Sequence, residues 1–461
     1  MANSTTSVVT FSILSPDASL SYDRIKLRLE EYRTLLASDS DTIELSTENG
    51  KTVICRKKAN EMEEYLDQAE ILLWDVVQSR DISTLVVLHH LRDLAEVLDN
   101  LKLYDECRLT GNCALDLAEA LGRRSLEFRQ EQAETLAHIA GLYVYRPRAR
   151  TLFIQAVSIC EEVVANNASH SNKYALLNVL DRAGDRAPRD LRAQWLGHAI
   201  QLMTKELPPS MVHPGMRGDI YYNYGKILKR LKQYSPAVEA FDEAISIDRI
   251  MVTNNTARHS LFLAATLRHK GEALMELGKV ADAIVAYTEV LEICTTMSAQ
   301  DPLQYNEMMA DTLISYGITL GKLNQFSEAA AVEKQAISLC RNLADTGHEC
   351  TVLLSFALHN YGSSCLAIGK HTESLHAYQE AILLTRTLAA GNLKEIGLIK
   401  GHHDIARAFL ALGKHAEANA AANEALERNH GGVVEGCDYT PDFKSCFVCR
   451  RAITLDSAPN V

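Results

Sequence analysis

Three cysteines near the end of the chain have the spacing that comes closest to a metal site. Cys446 and Cys449 form a Cys-x-x-Cys pair, which supplies half of a tetrahedral zinc site. The other half would need Cys437 and His430, whose separation is poor for zinc. Three interpretations therefore stay open for this segment: a zinc site, a redox-active thiol pair, and a tail that is docked or flexible without metal.

Other short motifs that suggest chemistry are incomplete. Gly50-Lys51-Thr52 has the ending of a phosphate-binding loop, but Leu45 stands where the first glycine of that motif belongs. Adjacent histidines occur at His89-His90 and at His402-His403, but neighbouring residues of a helix face different directions. The sequence contains no nucleophile elbow, no HExxH motif and no glycine-rich phosphate cradle. We therefore predict a protein that is not an enzyme and that needs no metal and no cofactor.

Composition limits the class of partner and the compartment. The net charge is −12, with both signs interspersed, whereas a general nucleic-acid binder would usually be basic. The N-terminus lacks the basic region of a signal peptide, and no apolar run reaches 18 residues. The 11 cysteines mostly fall inside helical patterns, as small buried hydrophobes do. These features predict a cytoplasmic protein with no nucleic-acid or membrane partner; a nuclear location is compatible with them.

The elements that must position any functional residue are helix pairs that recur from Asp219 to Leu426. Each copy has apolar residues at helical spacing on both sides of a turn that is too short for anything but an antiparallel helix hairpin. A small residue marks the first helix of each copy, at steps of 46, 46, 45 and 44 residues: Gly225, Gly271, Gly317, Gly362 and Ala406. Glycine inside a helix costs roughly 1 kcal/mol against alanine, so its recurrence predicts close helix crossings.

The second helix of each copy carries small residues that flank an aromatic slot. Phe241, Tyr287 and Tyr378 fill this slot in three copies, and Glu333 and Ala422 replace them in the other two. This pattern resembles the tetratricopeptide repeat family. The standard repeat has about 34 residues, so these copies resemble the longer repeats of kinesin light chains. The resemblance implies an α-solenoid that binds other proteins, and it implies no particular ligand.

We therefore predict an all-α fold, an α-solenoid of antiparallel helix pairs, with a small N-terminal β-hairpin. Thr42–Thr47 and Thr52–Cys55 are β-prone, and Asn49-Gly50 between them is a strong hairpin signal. We expect this hairpin to pack on the first helices. The predicted organisation is a disordered N-terminus at 1–20, a cap of helices and hairpin at 21–80, degenerate repeats at 81–207, five clear repeats at 208–430, and an irregular cysteine-containing tail at 431–461.

The resemblance also implies a binding surface, because the first helices of such arrays line the concave face. It places side chains there from positions six and three before the small residue and from one and four after it. The predicted groove residues are Tyr222, Lys226, Lys229, Arg268, His359, Lys400, His403 and Arg407. Basic side chains outnumber acidic ones at these positions, so we predict a protein or peptide partner with acidic character.

Two other functions stay open from the sequence. The chain could be an enzyme, or a regulatory subunit of one, that uses the N-terminal module or the cysteine tail. It could also be a sensor whose repeat array closes on a small molecule or a peptide. The main prediction is a scaffold or adaptor that holds a partner segment in its groove.

Overall fold

The computed structural model describes most of the chain between residues 24 and 429. The described residues are 24–31, 33–34, 42–47, 50–55, 59–78, 84–123, 127–142, 147–187, 189–252, 256–345, 350–387 and 392–429. The predicted disordered segment 1–20, the tail 431–461 and its residues Cys437, Cys446 and Cys449 lie outside the described residues.

Within the described residues, eighteen α-helices follow one another. Helix α1 covers residues 24–31 and continues at 33–34. The other helices are α2 (Ala59–Gln78), α3 (Thr84–Asn100), α4 (Tyr104–Gly122), α5 (Glu127–Leu142), α6 (Pro147–Asn166), α7 (His170–Arg186), α8 (Arg189–Gln201), α9 (Pro214–Arg230), α10 (Tyr234–Val252), α11 (Thr256–Glu276), α12 (Val280–Met297), α13 (Pro302–Lys322), α14 (Phe326–Asp345), α15 (Thr351–Ala367), α16 (His371–Thr387), α17 (Asn392–Ala411) and α18 (His415–Asn429). A π-helical turn, Leu202–Glu206, and a 3-10 turn, Pro209–Met211, precede α9.

The chain divides into two compact units, Met1–Ile227 and Leu228–Val461. In the first unit the described helices bury one continuous apolar core, which includes Leu88 and Phe153. In the second unit each helix from α10 to α18 packs against the next one in sequence. In the part of the chain that the structure describes, no helix has both the length and the apolarity needed to cross a membrane.

The inner side of the second unit is formed by the first helix of each pair, which we call the A helix. The A helices α11, α13, α15 and α17 contact one another in succession. The second helices of the pairs, α12, α14, α16 and α18, make no comparable contacts with one another within the described residues. Because the A helices lie closer together, this unit curves towards the A-helix side.

The predicted short turns are confirmed, and their backbone conformation explains why they end helices. The first residue of each turn has a positive φ, from 60° at Lys232 to 81° at Gly369. This left-handed conformation ends the helix and directs the next backbone amide back towards it. The N–H of Lys279, for example, donates to the carbonyl oxygen of Leu274, with 2.9 Å between the nitrogen and the oxygen. Glycine suits such a position because it has no Cβ, and Gly278, Gly369 and Gly413 supply it in three of the five turns.

The small residues lie at helix crossings, as predicted. A Cβ atom on Gly271 would lie 2.6 Å from the ring of Tyr287, and one on Gly362 would lie 2.8 Å from the ring of Tyr378. Both tyrosines are completely buried. Gly271 and Gly362 therefore make room for the tyrosine in the slot of the second helix of the same repeat, and Gly317 does the same for Glu333.

The predicted fold class needs one correction, at the N-terminal β-hairpin. The backbone segments Thr42–Thr47 and Gly50–Cys55 pair antiparallel with each other, Thr42 opposite Cys55 and Thr47 opposite Gly50. Among the described elements their extensive contacts are confined to this pair, and no further strand joins them. Two strands alone are marginally stable, so a sequence that favours a turn does not by itself produce a hairpin that packs on the helices. The assignment of a hairpin to the fold, packed on the first helices, is therefore wrong: the fold is an all-α solenoid.

Candidate functional site

Two depressions on the A helices of the second unit share a wall, and we call them together the inner groove. The larger depression, between α11, α13 and α15, encloses about 590 Å³ and is open to solvent. The smaller one, of about 50 Å³, lies between α15, α16 and α17. Val352 and Phe356 of α15 line both depressions. The inner groove therefore runs across successive A helices and not along one helix.

The shared wall is apolar and exposed. Phe356 is 51% exposed and Val352 is 41% exposed, whereas Phe241, Tyr287 and Tyr378 are completely buried. The two residues are four apart on one helix, so their side chains lie on the same face. Single exposed apolar residues need no explanation, but a pair at the centre of a groove is typical of an interaction site.

The smaller depression combines apolar walls with one ammonium group. Lys400 and His359 line it, and the hydroxyl oxygens of Ser355 and Thr385 are 2.8 Å apart beside them. Burial lowers the pKa of Lys400, although the nearby carboxylate of Asp404 opposes this shift. The depression can therefore accept a small apolar group with an anionic end.

A buried carboxylate, Asp404, organises the end of the groove on α17. Its two oxygens lie 2.9 Å from Nε2 of His359 and 3.3 Å from Nδ1 of His403, and Arg407 donates to it at 3.1 Å. Burial alone would raise the pKa of Asp404, but hydrogen bonds from the two histidines and the charge of Arg407 hold it well below its usual range. Burial lowers the pKa of His359. The cluster thus ties α15 to α17 around a permanent negative charge.

A second carboxylate, the partly buried Glu272, organises the opposite end. It accepts hydrogen bonds from Lys229 of α9, from Arg268 of α11 and from Ser315 of α13. Arg268 also lies 3.1 Å from Asp311 of α13. Burial would raise the pKa of Glu272, but these basic groups and His269 hold it far below its ordinary value. Burial lowers the pKa of His269 to about 4. The network joins three successive repeats.

The predicted groove residues fall into three separate groups. His359, Lys400, His403 and Arg407 gather near Asp404, and Lys229 and Arg268 gather at Glu272. In the first unit, the ammonium group of Lys226 lies 4.7 Å from the ring centre of Tyr222.

Of the eight predicted residues, His359 and Lys400 line the inner groove itself. Lys229 and Arg268 are paired with carboxylates inside the protein, so part of the basic character expected from the sequence is neutralised locally. The negative partners, Glu272 and Asp404, are as important to these clusters as the basic residues.

Sequence reasoning missed groove residues that lie nearer the N-terminal ends of α13 and α15 than the predicted positions. The groove is lined at the positions ten and nine before the small residue, by Glu307 and Met308 on α13 and by Val352 and Leu353 on α15. A standard repeat of about 34 residues has a shorter A helix. The steps of 44 to 46 residues were the signal for this additional turn, which lengthens the inner surface.

Among the described residues, no cluster of three His, Cys, Asp or Glu side chains has an arrangement that could hold a metal ion.

The comparison with known families identifies the repeat. Residues 218–250, which span most of α9 and α10, match the tetratricopeptide repeat family. The chain carries tetratricopeptide repeats. The tetratricopeptide pattern continues beyond the matched residues, because α11 to α18 repeat its turns and its helix crossings.

Solved structures are similar to this chain at low sequence identity. RapI in its apo form is 9% identical, with a TM-score of 0.51, over 75% of this chain and 98% of that chain. BtubC from P. vanneervenii is 14% identical, with a TM-score of 0.42, over 57% and 94%. The tetratricopeptide-like repeats of a putative kinesin light chain from Podosopora anserina are 16% identical, with a TM-score of 0.37, over 48% and 97%. A search of curated proteins found no match.

Proposed function

We propose that this protein is a scaffold that binds an extended segment of a partner protein in the inner groove. The observation that carries the proposal is the exposure of Phe356 and Val352 at the wall shared by the two depressions. A partner side chain that covers these residues gains about 25 cal/mol for each Å² of apolar surface removed from water. The proposed role is non-catalytic and cytoplasmic.

The form of the groove favours a chain segment over a small molecule. The larger depression has the volume of a ligand site, but it is open on one side and continues past Phe356 into the smaller depression. An extended peptide can follow such a path across several A helices, with its side chains entering successive depressions. Tetratricopeptide repeats in general mediate protein–protein interactions, which supports the same class of partner.

The test compares two charge insertions on the same unit. Phe356→Asp places a charge in the inner groove, and Leu383→Asp is the matched control, because Leu383 is 64% exposed on α16. Both variants and the wild type are used to capture partners from cell extract, and thermal unfolding checks that all three fold equally. We expect at least one partner that the wild type and Leu383→Asp bind and that Phe356→Asp loses. If the two variants bind the same partners equally well, the groove is not the binding site.

A further inference from the structure

The two ends of the inner groove present opposite charges to solvent. At the α13 end the exposed members of the charged cluster are acidic. Asp311 has a side-chain exposure of 38%, whereas its basic partner Arg268 has only 13%. Glu307 is exposed one turn away from Asp311 on the same face of α13. A ligand at this end therefore meets carboxylates, because the guanidinium group lies beneath them.

At the α17 end the order of charges is reversed. Asp404 is the buried member there, with a side-chain exposure of 6%, and its partner Arg407 has 45%. Lys400 lines the smaller depression, two turns from Arg407 on the same helix. A ligand at this end therefore meets cationic groups, with the carboxylate beneath them.

Helix geometry sets the distance between the two ends. Packed helices lie roughly 8–10 Å apart, so the two steps from α13 to α15 and from α15 to α17 cover about 16–20 Å. An extended peptide advances about 3.3 Å per residue, so this distance corresponds to five or six residues. Phe356 lies on the middle helix, half-way along that path.

We propose that the inner groove selects a segment with a basic and an acidic residue five or six positions apart and an apolar residue midway between them. The basic residue pairs with Glu307 and Asp311, the apolar side chain covers Phe356, and the acidic residue pairs with Lys400. The inference rests on the proposed function and narrows it, because an acidic segment alone would be repelled at the α13 end. Complementary charges of this kind set partner choice more than total affinity.

The test uses a displayed library of random twelve-residue peptides, selected on the full-length chain. From the wild type we expect sequences with opposite charges on the two sides of an apolar residue. Glu307→Lys offsets the remaining charge of Asp311, so the α13 end should no longer select a basic residue. Lys400→Glu offsets the remaining charge of Arg407, so the α17 end should no longer select an acidic residue. Each variant should change the preference between mixed-charge and like-charge peptides by about tenfold, which corresponds to about 1.4 kcal/mol.

Matched controls separate a local effect from a change in net charge. Glu328→Lys and Lys334→Glu make the same changes at exposed positions of α14 and should leave the peptide preference unchanged. Glu307 is exposed, so its variant keeps the test decisive even if Lys400→Glu fails to fold. Peptides that bind without a charge pattern, and that Phe356→Asp loses, would overturn this inference and leave the proposed function standing. If no peptide is enriched, or if Phe356→Asp binds the same peptides equally well, the proposed function is overturned together with the inference.

Discussion

At the scale of single residues, Glu333 differs most from its equivalents in the other repeats. It stands in the slot that Phe241, Tyr287 and Tyr378 fill, and it is 1% exposed. Its Oε2 atom has no hydrogen-bond partner among the described residues. Burial raises the pKa of Glu333 from 4.5 to about 7, although a hydrogen bond with Ser364 opposes the shift. The third clear repeat therefore holds a carboxyl group that is unfavourable when charged.

The pKa of Glu333 predicts the direction of a pH effect on stability. Between its unfolded pKa of 4.5 and its folded pKa of about 7, the folded chain holds a proton that the unfolded chain has lost. Stability from this group is therefore greatest below pH 4.5, falls as the pH rises, and is fully lost above about pH 7. Glu333→Gln removes the titration and should raise the free energy of unfolding at pH 8 by roughly 1–3 kcal/mol, with little change at pH 4.5.

Thermal unfolding at the two pH values measures this effect. Glu328→Gln, an exposed change on the same helix, should leave the pH dependence as it is in the wild type. A shift of the Glu333→Gln midpoint that is equal at pH 4.5 and pH 8 would show that the buried carboxyl does not titrate in this range.

Two helical glycines give a second residue-scale prediction. Gly271→Ala would place a Cβ 2.6 Å from the ring of Tyr287, so overpacking should lower the stability by about 1–3 kcal/mol. A Cβ added at Gly321 would meet no atom within 4 Å, so Gly321→Ala should raise the stability by up to about 1 kcal/mol. Urea unfolding of both variants checks the pair. Equal effects of the two changes would mean that the helix crossing is not where the structure has it.

At the scale of elements, buried carboxylates hold neighbouring A helices together. Asp404 of α17 binds His359 of α15, and its depressed pKa means that its contribution to stability is lost as the pH falls towards its folded value. Asp404→Asn should cost about 1–3 kcal/mol at pH 7, because buried partners lose a charged acceptor. Arg407→Gln should cost less than about 1 kcal/mol, since Arg407 is half exposed. Denaturant unfolding at pH 7 compares them. An equal cost for the two changes would contradict a central role for Asp404.

Much of the helix architecture was predictable because it depends on local spacing. Apolar residues at helical intervals predicted which face of each helix is buried, and the small residues predicted where helices cross, as Gly271 and Gly362 show. The inner groove was less predictable, because positions taken from a shorter repeat omit the outer turn that carries Glu307 and Val352. The ion pairs could not be predicted either, because the sequence does not show that Glu272 lies beside Lys229 and Arg268 and neutralises them. The prediction of a packed hairpin was wrong for a related reason. The Asn49-Gly50 pair indicates only a local turn, whereas packing against other elements depends on the whole fold.

At the scale of the whole molecule, the proposed partner-binding surface is the A-helix side of the Leu228–Val461 unit. The Glu272 and Asp404 clusters link these helices to one another. The surface that the helices present is therefore already formed without a partner. Such preorganisation reduces the entropy lost on binding. The same unit leaves Phe356 exposed between an acidic and a basic end, which is the feature that distinguishes this surface from an ordinary solvated face.

The central claim, that an extended segment lies in the inner groove across α13, α15 and α17, is tested most directly by photo-crosslinking. The tightest peptide from the library carries a photoreactive residue in place of its apolar centre, and mass spectrometry identifies the crosslinked residues of the full-length chain. We predict crosslinks to α15 around Val352 and Phe356, with neighbouring ones on α13 and α17, and their loss when unlabelled peptide is added in excess. Crosslinks that fall on α12 and α14, or in the Met1–Ile227 unit, would contradict the claim.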